Sequence, residues 1–278
     1  MKNYFLLLIV SSFFVEAQVV SPQASPFSTV TQVVGLTEIK IEYSRPSMKG
    51  RKIIGNIVPY GELWRTGANA NTKITFSDPV TISGKIIPQG TYALYTRPGK
   101  TMWEIFFYSK SDNWSLPKEW DSSQIAVVSE SPVFNSVDRF ESFSIQIQNI
   151  TSNDADLTIA WENTIVRTNI KVPTAKKTLE SIKKTLANNP KAEDYYKAAV
   201  YYLNSDIDLD KAKKWMEIAV EKGNNKYYHL RQYSLILAAL GDKKSAVKVA
   251  RNSYELADKA GNKDYLKMNK ESIEKWSE

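Results

Sequence analysis

Residues 44–71, SRPSMKGRKIIGNIVPYGELWRTGANAN, decide how the first half of the chain is organised. This segment has no sustained strand or helix period, and it holds four of the 11 glycines of the chain. A loop of this length in a compact domain is functional, disordered or a sign of wrongly assigned elements. Apolar and aromatic side chains such as Ile53, Ile54 and Trp64 argue against disorder. We therefore expect an ordered loop that forms or covers a site.

On both sides of this loop, between residues 27 and 172, apolar residues alternate with a period of two. Turn signals such as Ser83-Gly84 and Pro98-Gly99 separate the alternating segments. The pattern predicts strands at 37–43, 73–77, 80–82, 85–87, 91–96, 102–108, 124–129, 140–150, 156–161 and 165–172. The last two are expected to pair across Glu162-Asn163-Thr164. An antiparallel β-sandwich or barrel over residues 19–172 fits this pattern.

After Pro173 the apolar period changes to 3.6, which is typical of helices. The predicted helices are 174–187, 191–203, 209–222, 226–240, 243–260 and 263–276. A spacing of 34 residues relates Asp208 to Asp242, both candidate N-caps, and Ala212 to Ala246. This region resembles the tetratricopeptide repeat. The fold class is thus α+β by domain, with an all-α domain at 173–278. Because about three repeats are needed for stability, we expect this helical part to dock on the strand domain or on another chain.

The first 18 residues are typical of an export signal peptide. Lys2 is followed by an apolar run at 5–15 and by Val15-Glu16-Ala17 as a cleavage site. The run is about half the roughly 20 residues that a spanning helix needs, so we expect no membrane-spanning segment. The mature protein is expected to be exported to the periplasm or the extracellular space.

Composition limits the chemistry. The chain has no cysteine, which excludes disulfides, thiolate metal sites and cysteine nucleophiles. With a single histidine, His229, we expect no zinc site, and no cofactor motif is present. The net charge of +7 falls mostly on the helical domain. Export keeps the chain away from nucleic acid, so we expect no nucleic-acid partner.

The positive charge of the strand domain is concentrated in the loop at 44–71. Five basic side chains stand there against one acid, Glu62. Guanidinium groups present a rigid donor fork to carboxylates and phosphates, and a neighbouring tryptophan can stack on a ligand. The candidate ligand-binding residues are Arg45, Arg51, Trp64, Arg65, Thr66 and Asn69, for an anion or an anionic sugar. The alternative is that the arginines bind the loop's own carbonyl groups and Glu62.

Two motifs in and after the loop, WRTGAN at 64–69 and IPQGTYAL at 87–94, resemble the family called domain of unknown function 2911. The resemblance extends over about residues 20–170. It implies an exported protein of a Gram-negative bacterium, for which a tetratricopeptide-like tail is a familiar companion. No activity is established for the family, so the resemblance transfers no catalytic residue.

Two functional hypotheses follow. The first is a non-enzymatic, exported binding or interaction module, with a ligand at the loop and a protein partner at the helical domain. The second is a hydrolase that acts on carbohydrate or another envelope polymer, with Glu62 as its acid. Trp114 and Trp120 flank Pro117 in an aromatic loop. Their rings are expected to pack in the core, and the alternative is a platform for sugars.

Overall fold

A computed structural model of the chain describes residues 21–278. The predicted signal peptide at 1–18 lies outside the described residues. The chain divides into two compact units, one ending at Thr174 and the other running from Ala175 to Glu278. The first is built on one large antiparallel sheet and the second on six helices, which confirms the α+β fold class.

Nine strands form the sheet in residues 21–278, in the order β1-β2-β3-β6-β7-β8-β9-β4-β5. Every neighbouring pair is antiparallel. The strands are β1 Phe27–Val34, β2 Thr37–Ser44, β3 Ala68–Phe76, β4 Val80–Ile82, β5 Lys85–Ile87, β6 Gly90–Arg97, β7 Met102–Tyr108, β8 Ile125–Gln148 and β9 Asp154–Lys171. A short 3-10 turn, Ser122–Gln124, precedes β8.

Two long strands replace four predicted short ones. β8 pairs first with β7 and then with β9, so it joins two groups of strands across one apolar core. β9 continues through Glu162-Asn163-Thr164, so the hairpin expected there is wrong. Glu162 has a φ of 54°, and the register between β8 and β9 shifts near it. The residue is therefore an irregularity within a strand.

The loop after β2 is ordered, and it is attached to the far half of β8. The amide of Met48 donates to the carbonyl of Glu141 (2.8 Å), and that of Phe143 donates to the carbonyl of Pro46 (2.9 Å). Tyr43, at the end of β2, donates through its hydroxyl to the carbonyl of Ile145 and accepts from the Ile145 amide. These contacts connect β2 and the loop to β8 above the core.

Six helices follow in the described residues, close to the predicted positions. The first begins at Thr174, and the others lie within the second unit. The helices are α1 Thr174–Leu186, α2 Ala192–Asn204, α3 Leu209–Glu221, α4 Tyr227–Ala239, α5 Lys243–Lys259 and α6 Lys263–Ser277. Asp208 and Asp242 cap α3 and α5 by accepting from the amides of Lys211 (3.1 Å) and Ser245 (3.0 Å), as predicted. Ala212 and Ala246, which the 34-residue spacing relates, are both fully buried. None of the helices described in 21–278 has the length and apolar composition needed to cross a membrane.

His229 is a buried titratable group of the helical unit. Its ring is 5% exposed and packs edge-on against Tyr196, and its Nδ1 accepts from the amide of Lys226 (3.3 Å). Burial lowers the pKa of this imidazole, and Lys226 lowers it further, whereas Glu193 acts in the opposite direction. The unfolded chain therefore binds a proton at His229 more readily than the folded chain.

We expect the free energy of unfolding to fall as the pH drops below about 6.5, the ordinary histidine value, through the lower folded pKa. Urea denaturation of the full chain at pH 7.5 and pH 5.5 measures the change. His229→Phe is the control, because it keeps a ring and removes the only histidine of the chain. An equal drop in stability between the two pH values for His229→Phe would assign the effect to other groups.

Candidate functional site

The predicted loop residues separate into two groups in the structure. Arg45 and Arg51 lie against backbone carbonyls near β8. Arg45 donates through Nε to the carbonyl of Phe143 (3.0 Å). Arg51 donates through Nε to Met48 (2.8 Å) and through Nη2 to Ser47 (2.8 Å). Both guanidinium groups therefore hold the path of the loop.

Trp64 lies in an aromatic cluster that packs on the core of the sheet. Its ring stacks on Trp161 (5.8 Å between centroids, 18° between planes) and meets Phe143 and Trp103 edge-on. The Trp64 amide donates to the carbonyl of Thr96 (2.7 Å), and the Thr96 amide donates back (2.9 Å). The structure thus surrounds Trp64 with side chains of its own unit.

Thr66, Gly67 and Asn69 bend the chain into β3. Their φ angles are 57°, 148° and 59°, which are positive values that residues other than glycine rarely adopt. Thr66 is fully buried, and its hydroxyl donates to Thr96 Oγ1 (3.1 Å) while its carbonyl accepts from Thr72 Oγ1 (2.5 Å). A Cβ on Gly67 would approach the Ser44 carbonyl to 3.1 Å. The bend therefore fixes the positions of Arg65 and Asn69.

Glu62, the acid proposed for the hydrolase hypothesis, is exposed. No hydrogen bond or ion pair within residues 21–278 involves its carboxylate. Two acids outside the loop hold it instead: Glu141 on β8 accepts from the amide of Lys49 (2.8 Å), and Glu162 on β9 binds two amides. Its two carboxylate oxygens accept from the amides of Ile53 (2.9 Å) and Ile54 (2.8 Å).

Two cavities open beside the loop at 109–121, and Trp114 lines both. The larger, about 770 Å³, lies within this loop. It is lined by Tyr108, Lys110, Asn113, Trp114, Leu116, Pro117, Lys118, Glu119, Asp121 and Gln124. The smaller, about 550 Å³, is lined by Gln23, Ala24, Ser25, Phe27, Ser44, Asn69, Ala70 and Trp114. We call the two cavities together the Trp114 groove.

The two tryptophans of this loop have different environments. Trp114 is 72% exposed. Trp120 is half-buried; it stacks on Tyr108 (4.8 Å, 28°) and meets Tyr95 and Phe106 edge-on. Packing accounts for Trp120, as expected from the sequence, but it does not account for Trp114. The exposure of Trp114 depends on tertiary contacts, which the sequence does not show. The only sequence signal for this residue is a tryptophan among polar residues.

Positively and negatively charged side chains both line the larger cavity. Asp121 accepts from the amide (2.9 Å) and hydroxyl (2.6 Å) of Ser123, and these bonds lower its pKa, so it is an anion at neutral pH. Glu119 adds a second carboxylate, and Lys110 and Lys118 balance the two. The groove therefore combines an exposed ring with amide and charged groups and carries no strong net charge.

The candidate residues that lie near this groove are Arg65 and Asn69. Asn69 lines the smaller cavity and donates to Ser44 Oγ (3.2 Å) and the Ser25 carbonyl (3.3 Å). Arg65 donates through Nη1 to the hydroxyl of Ser115, the residue after Trp114 (2.8 Å). Of the six candidate residues only Asn69 lines a cavity, and the other five, Arg45, Arg51, Trp64, Arg65 and Thr66, line neither of the two. The Trp114 groove thus includes residues from both ends of the 44–71 loop, Ser44, Asn69 and Ala70, and none from its middle.

Among residues 21–278, no group of three or more histidine, cysteine, aspartate or glutamate side chains is arranged to hold a metal ion. The family model described as a protein of unknown function (DUF2911) matches residues 25–170. That range includes the loop at 44–71 and all of the larger cavity. No curated protein and no solved structure gives a significant match to the chain.

Proposed function

This chain belongs to the DUF2911 family, and from the geometry of its groove we propose that the strand unit is a non-enzymatic binding module for a carbohydrate ligand. The observation that carries the proposal is the exposed indole of Trp114 between two cavities. Ligand sites in proteins have volumes of about 300–1,000 Å³ and combine apolar walls with a few polar groups. Both cavities fall in this range.

A sugar ring fits these groups chemically. Its C–H face is apolar and packs on an indole ring, while its hydroxyl groups need donors and acceptors around the edge. Asn113 and Gln124 in the larger cavity and Asn69 in the smaller one supply amide groups, which can both donate and accept. The exposed indole of Trp114, which packing does not require, thus offers a flat apolar surface to the sugar ring.

The protein as a whole is proposed to act after export, in the periplasm or outside the cell, where envelope glycans are accessible. The helical unit resembles tetratricopeptide repeats in its paired helices and in the 34-residue spacing of Ala212 and Ala246. It is proposed to offer a surface to a protein partner, while the strand unit holds the glycan.

Trp114→Ala tests the proposal directly. We expect it to weaken binding of an oligosaccharide by about tenfold or more, since buried tryptophan contacts are common sources of binding energy. The melting temperature should stay close to that of the wild type because the ring makes little contact within the protein. The wild type is first screened by melting shift against neutral and acidic oligosaccharides, and the best ligand is then titrated calorimetrically.

Trp120→Ala is the matched control. It removes the same side chain from the same loop, but from a packed position, so it should lower the melting temperature. If no oligosaccharide stabilises the wild type, or if Trp114→Ala binds as tightly as the wild type, the proposal is wrong.

A further inference from the structure

Arg65 differs from the other two arginines of its loop in how its guanidinium is used. The Nε atoms of Arg45 and Arg51 each donate to a carbonyl group. The Nε of Arg65 is buried and has no hydrogen-bond partner. The guanidinium donates instead through Nη1 to the neutral hydroxyl of Ser115. The guanidinium of Arg65 therefore has a hydrogen-bond donor, Nε, that lacks an acceptor.

No carboxylate within residues 21–278 forms an ion pair with this half-buried guanidinium. A cation that is partly removed from water without a counterion is unfavourable, and a buried donor without an acceptor adds to the cost. An anionic ligand would relieve both. A guanidinium also binds a carboxylate through two parallel hydrogen bonds, which a hydroxyl group cannot reproduce.

The segment 111–115, whose Ser115 hydroxyl accepts from Arg65, makes only long contacts to Asn71. Asn71 is 3% exposed, and its amide nitrogen lies 3.3 Å from the Ser111 carbonyl and 3.5 Å from Asn113 Oδ1. These distances exceed the usual 2.9–3.0 Å. The Asn71 Oδ1 is buried without a partner, and Ser115 is held at a φ of 64°. A rotation of the Ser115 side chain away from Arg65 therefore breaks the bond to Nη1, and it leaves Asn113 bonded to the Tyr95 hydroxyl (2.9 Å) and to the Ser115 carbonyl (2.9 Å).

We propose that the Trp114 groove selects sugars that carry a carboxylate, and that Arg65 binds this carboxylate in place of the Ser115 hydroxyl. The proposal rests on the groove being a carbohydrate site. Trp114 holds the ring of the sugar, and Arg65 lies beside it along the chain, because its Nη1 is bonded to Ser115, the next residue. Asn113 of this loop donates to the Tyr95 hydroxyl (2.9 Å), and burial keeps that phenol neutral by raising its pKa, so neither group competes with Arg65 for the carboxylate.

The test compares acidic oligosaccharides with their methyl esters, because the ester keeps the sugar and removes the charge. The probes are trigalacturonate and triglucuronate, each paired with its methyl ester and titrated calorimetrically into the full chain. We expect the wild type to bind at least one acid about 10- to 100-fold more tightly than its ester, as a hydrogen-bonded charge pair predicts. The preference should decrease as sodium chloride is added.

Two variants with equal net charge test whether Arg65 is the residue that binds the carboxylate. Arg65→Gln should bind the acid and the ester with equal affinity. Arg139→Gln, which removes an exposed arginine from β8, should keep the preference of the wild type. If Arg65→Gln does not fold, the ratio of acid to ester affinity in the wild type still decides whether the groove selects a carboxylate.

The outcomes separate this inference from the proposed function. Equal binding of acid and ester by the wild type, with both weakened in Trp114→Ala, would leave the carbohydrate site standing and overturn the carboxylate site. A preference for the acid that survives in Arg65→Gln would assign the carboxylate to another group and overturn the role of Arg65. Failure of every neutral and acidic oligosaccharide to bind would overturn both proposals.

Discussion

Replacing Trp64 by alanine is expected to lower the free energy of unfolding of the strand unit by about 3–5 kcal/mol, the usual cost of deleting a packed aromatic side chain. The indole contacts three aromatic rings, Trp103, Phe143 and Trp161, and packs on the main core cluster. Its removal leaves a cavity between β7, β8 and β9 that these rings cannot fill without leaving their rotamers. Urea denaturation of the full chain, followed by circular dichroism, measures the loss.

Trp114→Ala is the matched control for this prediction. It removes the same side chain from an exposed position in the same unit, so its cost should stay within about 0.5 kcal/mol. Equal stabilities of the two variants, with ligand binding lost only in Trp64→Ala, would show that Trp64 serves the ligand and not the core. The sequence alone suggests that role, because a tryptophan next to arginine in a long loop has the composition of a binding site.

The helices could be predicted because their signals are local. Side chains one turn apart share a face, and Asp208 and Asp242 bind amides only three residues further along the chain. The short strands β4 to β7 could be predicted for a similar reason, since a hairpin turn brings neighbouring segments together. In each case the residues that define the element also contact one another.

β8 and β9 show where this local information ends. Glu162-Asn163-Thr164 is a polar sequence of the kind that forms turns, yet β9 passes through it. The partner of Asn163 explains the difference, because its amide group donates to the carbonyls of Ser136 (3.0 Å) and Asp138 (3.3 Å) on β8. A side chain bonded to a strand 25 residues away cannot be distinguished from a turn residue by composition.

The site could be predicted only in part for the same reason. The sequence shows which residues carry charge, but not which acceptor each one meets. Arg45, Arg51 and Arg65 look equivalent in composition, and only the structure separates the two that hold the backbone from the one that faces Ser115. Likewise Trp114 and Trp120 differ in burial because Tyr108 lies under one ring and not the other.

Glu162→Ala is expected to destabilise the strand unit by about 2–4 kcal/mol, which is the sum of two hydrogen bonds to a charged acceptor, reduced because the residue is half-buried. The change leaves the amides of Ile53 and Ile54 without an acceptor. Both side chains belong to the core, so the two residues cannot move to water without exposing apolar surface. Hydrogen exchange should report a loss of protection at these two amides, and urea denaturation the loss of stability.

Glu62→Ala is the control, since it removes a glutamate from the loop itself, whereas Glu162 holds that loop from β9. It should cost no more than about 0.5 kcal/mol, as is usual for an exposed side chain without partners. Ligand binding should persist in Glu162→Ala, because Trp64 is bonded to Thr96 on β6 and Asn69 lies within β3, so the groove does not depend on the middle of the loop. Loss of oligosaccharide binding in a folded Glu162→Ala protein would instead mean that residues 51–58 belong to the site. The two variants therefore test separately the segment of the loop that Glu162 holds and the exposed residue Glu62.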